Sequence, residues 1–208
     1  MIRTTLAAIA ALFIGTGVSQ AATIFYEDFS DELAANGGNS VLNFTGFNQF
    51  SVTSGTVDLI NSGDGYGITC LTGGACVDLD GSTGNAGTLM SLSLNLQANV
   101  LHTIELVMSG NQRGGATDSV TLKTDTDTTY TLNPFDGFQT FSYSVLISGT
   151  GPQPFSFSLE HAGGDNLGII LDSVKVSSQD MGAVPLPASL PALVLALGGL
   201  AALRRRRS

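Results

Sequence analysis

Residues 91–97 read SLSLNLQ, in which Leu92, Leu94 and Leu96 alternate with Ser91, Ser93 and Asn95. A period of two sends the leucines to one face of an extended chain and the polar residues to the other, the pattern of a strand with one wet face. The same period returns in Phe155, Phe157 and Leu159 against Ser156 and Ser158, and in Val174 and Val176 around Lys175. Further strands are predicted over 24–29, 50–60, 103–109, 119–124 and 140–146, with Gly, Ser, Thr, Asn and Asp marking turns between them. Residues 81–87, GSTGNAG, carry too much glycine for a strand and read as a loop. Away from the two ends, no segment longer than a turn or two combines helical periodicity with caps. The strand spacing therefore predicts an all-β domain of two packed sheets, a jelly-roll β-sandwich.

The ends of the chain follow other rules. Residues 1–22 have the three parts of a secretory signal peptide: Arg3, an apolar run from Leu6 to Ile14, and small residues around Ser19, Gln20 and Ala21. Cleavage is expected after Ala21 or Ala22. At the other end, residues 188–203 are uncharged, and a spanning helix takes about 17–25 residues, so this segment sits at the short limit of a transmembrane helix. Arg204, Arg205, Arg206 and Arg207 would stay on the cytoplasmic side. Pro185 and Pro187 cannot continue a helix and hold the residues before them extended, leaving an accessible strip outside the membrane. The predicted organisation is a signal peptide (1–22), a β-sandwich ectodomain (23–183) and a C-terminal membrane segment (184–208).

That closing segment, Val184, Pro185, Leu186, Pro187 and Ala188 followed by an apolar helix and an arginine cluster, resembles the VPLPA-CTERM variant of the bacterial PEP-CTERM sorting signals. The resemblance implies an inner-membrane intermediate, recognition by an exosortase-type membrane protease, and delivery to the cell surface or extracellular matrix. Retention as an ordinary membrane anchor is the competing reading.

The middle segment holds all 17 acidic residues but only three basic ones, Arg113, Lys123 and Lys175, for a formal charge of −14. Such a surface repels polyanions and excludes nucleic acid as a partner. Neutral polysaccharides and divalent cations remain compatible with it. Cys70 and Cys76 flank a five-residue loop, and in an exported chain that spacing reads as a disulfide. Zinc needs about four donors, and the two histidines, His102 and His161, lie far along the chain.

The blocks FSVTSGTVDLI, CVDLDGSTGNAGTLMSLSLNL, HTIELVMSGNQRGG, DSVTL and GIILDSVKVS, from about residue 50 to 177, resemble bacterial choice-of-anchor C surface proteins. The resemblance implies a galactose-binding-like jelly roll associated with cell-wall or matrix polysaccharide. It also implies a structural Ca²⁺ between the first and last strands, which points to Glu27 and Asp172; the plainer reading has Asp172 bonding backbone at a strand edge. Members usually carry a tryptophan where this chain has Phe50, and no tryptophan occurs anywhere.

Enzymatic chemistry finds little support in the sequence. His102 reads as lying in a polar gap before a strand and His161 in a turn, neither within a triad motif. Carboxylate pairs such as Glu27 with Asp28 and Asp78 with Asp80 read as surface groups, since acid and base work needs opposed environments. For sugar binding, the candidates are Tyr66 as an exposed ring and Asn111, Gln112 and Arg113 as convergent polar groups, set against their reading as a polar hairpin tip and a turn tyrosine. Phe135 and Phe138 read as satellite core. The function expected is an exported, non-catalytic surface or matrix module that binds polysaccharide; the alternatives are a structural or adhesive envelope protein and a carboxylate-dependent glycan hydrolase.

Overall fold

The computed structural model describes residues 21–71 and 74–179, so the expected signal peptide and the sorting motif lie outside the described residues, apart from Ala21 and Ala22. The described chain is an all-β sandwich. One sheet has the order β10-β7-β13-β4-β3, formed by Gln139–Leu146, Leu101–Ser109, Ile170–Ser178, Ala75–Asp78 and Asp58–Asn61, with β1 (Ala22–Glu27) also paired to β13. The other has the order β2-β5-β12-β8-β9, formed by Phe50–Ser54, Thr88–Ser91, Ser158–Ala162, Asp118–Lys123 and Thr128–Leu132. A two-stranded piece joins β6 (Leu94–Gln97) to β11 (Pro152–Phe155). All pairings between these strands are antiparallel.

Alternation does what the sequence promises where a strand has one wet face. In β8 Asp118, Val120 and Leu122 are buried and their neighbours are not, and in β7 His102, Ile104, Leu106 and Met108 point inward. The apolar ones among them meet Leu89, Phe157, Leu159, Val174 and Val176 in one core between the sheets. A fully buried side chain of this size contributes about 1.5–3 kcal/mol.

Alternation fails at β3 and β4, where nearly every residue is buried. Leu59, Ala75 and Val77 enter the main core, while Ile60 and Cys76 point outward into a second apolar cluster with Ile68, Cys70 and Ile170, against which Phe138 packs. The Cys70–Cys76 disulfide closes the loop that covers this outer face. This second layer also buries Ile170 at the start of β13.

Two expectations are corrected. The run 50–60 is not one strand: Gly55, with φ 58°, turns the chain from β2 in one sheet to β3 in the other, and a Cβ there would stand 2.0 Å from the Ala86 carbonyl oxygen. The run opened by Leu92 breaks likewise, because β5 stays in the second sheet while β6 leaves it to pair with β11. A helix also appears, α1 (Ser30–Ala35), which buries Glu32 and Leu33. It is too short to repeat a helical period, so the sequence carries no pattern for it.

Candidate ligand face

Three segments form a surface groove: the disulfide loop after β3, the β7–β8 loop and the β9–β10 turn. Gly110 lets the second and third touch, since its missing Cβ would sit 1.9 Å from the Asn133 carbonyl oxygen. The Gln112 amide then donates to the Pro134 carbonyl at 2.7 Å, and the Gly110 amide to that of Asp136 at 3.0 Å. Within the turn, one Asp136 carboxylate oxygen accepts the Asn133 backbone amide at 2.7 Å. The Gln112 side chain joins the disulfide loop by mimicking a strand: its Oε1 accepts the Thr69 amide and its Nε2 donates to the Thr69 carbonyl, both at 2.9 Å.

The groove so held encloses about 320 Å³ and is lined by Thr69, Leu71, Gln112, Phe135, Asp136 and Phe138 among others. Phe135 is 76% exposed and Leu71 63%, so the walls are apolar and open, with Asp136 and Thr69 also among the lining residues. This corrects the reading of Phe135 as satellite core; Phe138 alone packs on the second cluster. Its position in Asn133-Pro134-Phe135-Asp136-Gly137, a turn sequence too short to bury a ring, was the available signal.

The sequence candidates are distributed differently. Tyr66 is 41% exposed on the disulfide loop. Asn111 is fully buried: its Oδ1 accepts the amides of Arg113 and Gly114, and its Nδ2 donates to Asp118 at 2.9 Å. Arg113 is ion-paired with buried Asp78. Of the three polar residues only Gln112 lines the groove, and its amide is committed to the loop. Their chemistry builds the face; Phe135 supplies its exposed ring, and Tyr66 does not line the groove.

Beneath these loops lies a buried polar hub. Asp78 Oδ1 accepts the amides of Asp80 and Gly168 at 3.1 and 3.0 Å, and burial pushes the Asp78 carboxyl up to about 7 despite the opposing pull of Arg113. Asp80 is fully buried and takes the amides of Asp165 and Asn166 at 3.0 and 3.1 Å. These aspartates are therefore internal anchors, not the surface groups that their spacing suggested. Both histidines are corrected as well. His102 is buried on β7 with Nε2 2.8 Å from the Gln97 carbonyl, and His161 is buried on β12 with Nε2 accepting the Ile169 amide at 3.2 Å.

Glu27 and Asp172 have different surroundings. Glu27 stands opposite Val174 in the β1–β13 pair, and its Oε1 accepts the Phe29 amide at 2.7 Å. Burial raises its carboxyl to about 7, with Glu32 and Asp28 adding to the rise. Asp172 accepts the Leu71 amide at 2.5 Å and acts on Tyr26, whose phenol is raised by burial and by nearby Asp28 and Asp172. Glu32, whose charge adds to the rise at Glu27, accepts the Asn48 amide through Oε1 and keeps Oε2 buried with no hydrogen-bond partner. Two buried carboxylates and one open oxygen fit a hard oxygen-seeking cation, whose other ligands would be backbone or water. Among the described residues, no three His, Cys, Asp or Glu side chains converge as a metal centre.

No protein-family model and no curated protein sequence matches the chain. Among solved structures, it is similar to the CBM22-1 xylan-binding domain of Xyn10C from Paenibacillus barcinonensis, at 10% identity and a TM-score of 0.45, over 80% of this chain and 100% of that one. It is similar to the C-terminal CBM6 of LamC, a marine laminarinase from Zobellia galactanivorans, at 13% identity and a TM-score of 0.40, over 67% of this chain and 99% of that one. A third likeness is to the CBM22-1 and GH10 modules of xylanase 10B from Clostridium thermocellum, at 10% identity and a TM-score of 0.45, where the match spans 81% of this chain and 31% of the other.

Proposed function

We propose that this protein is an exported, non-catalytic surface module that binds a neutral polysaccharide in the groove between the disulfide loop and the β9–β10 turn. The observation that carries the reading is Phe135, a ring 76% exposed on a turn tied down by hydrogen bonds at both ends. A rigid exposed ring offers an apolar face to the C–H face of a sugar at small entropic cost, and Asp136 and Thr69 stand beside it to take hydroxyl groups. The formal charge of −14 favours a neutral chain over a polyanion. Export rests on the signal-peptide pattern of residues 1–22, and surface delivery on the resemblance of residues 184–208 to exosortase sorting signals.

The test is retention of the full-length protein on insoluble neutral polysaccharides and on the producing cell's own extracellular polysaccharide. Phe135→Ala should weaken retention about tenfold or more, with an unchanged melting temperature. Failure of the native protein to bind any of these sinks the reading and leaves the structural or adhesive alternative. Shortening of the glycan chains would instead establish the hydrolase alternative.

We also propose a structural calcium ion at the β1–α1 junction, held by Glu27 and Glu32. What supports it is the open, buried Glu32 oxygen and the electrostatic effect of Glu32 on the buried Glu27 carboxyl.

A further inference from the structure

Between β12 and β13 the chain crosses the end of the sandwich in residues 163–169, and five successive backbone amides there donate to titratable side chains. Asp165 and Asn166 donate to Asp80, Leu167 to Asp165, Gly168 to Asp78, and Ile169 to His161. Four of these amides go to three carboxylate oxygens, which can still accept when protonated. His161 is different. Its Nε2 accepts the Ile169 amide at 3.2 Å, so that nitrogen bears no proton and the ring hydrogen sits on Nδ1. A second proton can enter only at Nε2, where it would meet the Ile169 N–H head on.

The surroundings supply the alternative arrangement. His161 Nδ1 and Asp80 Oδ1 are both buried without hydrogen-bond partners. Both side chains lie under Gly163, since a Cβ at that residue would stand 3.0 Å from His161 Nδ1 and 3.1 Å from Asp80 Oδ2. The charged groups acting on the ring are Asp118 from β8, Asp80 from the segment after β4, and Asp165 from the loop itself. Arg113, the cation of this end, is engaged by Asp78.

We propose that His161 is an acid-sensitive clamp on this loop: its neutral ring holds Ile169, and on protonation it turns to Asp80 and Asp118 and releases that end of the loop. Burial lowers the ring's affinity for protons against the pull of the three aspartates, so the clamp is intact above the ordinary imidazole range and is lost as pH falls through the lowered value. Gly163, Gly164 and Asp165 form one wall of a recess of about 400 Å³ opposite Asp118, and release of the loop reshapes it. The inference stands apart from the polysaccharide reading, because the groove at Phe135 shares no lining residue with this recess.

Amide exchange of the full-length protein, corrected for the intrinsic effect of pH, tests it at about pH 7.5 and about pH 5. Protection across 165–169 should fall about tenfold at the lower pH while the β7–β13 ladder keeps its protection. His161→Gln presents an amide oxygen at the Nε2 position at either pH and should abolish the fall. Loop protection that merely follows the ladder, or a His161→Gln protein that loses protection as the native one does, overturns the proposal. Nitrogen NMR of the native protein decides it without any variant. The proposal requires the Nδ1–H tautomer at the higher pH and an Ile169 amide signal that titrates together with the ring; an Ile169 signal that does not move with His161 overturns it.

Discussion

Asp78 shows how one residue can be misread from its neighbours in sequence. Beside Leu79 and Asp80, in a strand end rich in polar residues, it looks solvated, yet it is 1% exposed and bonds Asp80, Gly168 and Arg113. Burial lifts its folded value to about 7. The folded protein therefore binds more protons than the unfolded chain between about pH 4 and pH 7, so Asp78 favours the fold below that window and loses its contribution as pH rises through about 7. Asp78→Asn, which keeps an oxygen for both amides, should flatten the pH dependence of the urea midpoint across that window. Arg113→Ala should cost about 3 kcal/mol or more above it, because it strands a buried charge. At Phe135 the expectation is the reverse: Phe135→Ala should change stability by less than about 0.5 kcal/mol, so lost retention on polysaccharide would report contact and not folding.

Among the elements, the decisive ones are those that change sheets. Residues 50–60 alternate well enough for one strand, but Gly55 turns the chain, and β2 and β3 lie in opposite layers. Alternation encodes which side chain faces inward, and it is blind to which sheet the strand joins. The β7–β8 loop has a similar dependence on one position. Gly110→Ala would drive a methyl into the Asn133 carbonyl, and thermal melts should show a loss of about 2 kcal/mol together with reduced polysaccharide retention. The disulfide loop rests on a short covalent closure between residues six apart. Replacing both cysteines by serine should cost about 2 kcal/mol by chemical denaturation and loosen the Leu71 wall of the groove.

Over the whole molecule, stability comes from the core between the sheets and from the second cluster on the outer face of β3, β4 and β13. Phe157 is 2% exposed and edges against Phe50 within the core, so Phe157→Ala should cost about 3–5 kcal/mol in a denaturant titration. Calcium is expected to act at the same scale by tying β1 to α1. Its removal by a chelator should lower the melting temperature by about 4 °C or more, and Glu32→Gln should abolish that shift. An unchanged melting temperature after chelation would rule the ion out at Glu27 and Glu32.

The all-β class and the inward faces of β7, β8 and β12 were legible in the sequence, because a strand with one wet face writes its period directly into the order of residues. The disulfide was legible too, since its ends lie six residues apart and closure is local. What the sequence could not show was which polar residues the loops would enclose. Asn111, Asp78, Asp80 and His161 resemble surface residues in one dimension and become the internal scaffold of the loop end in three. Their partners lie up to 90 residues away. A buried polar group is stable only where such distant donors and acceptors converge, and that convergence is a property of the packed sheets and not of any local run of residues.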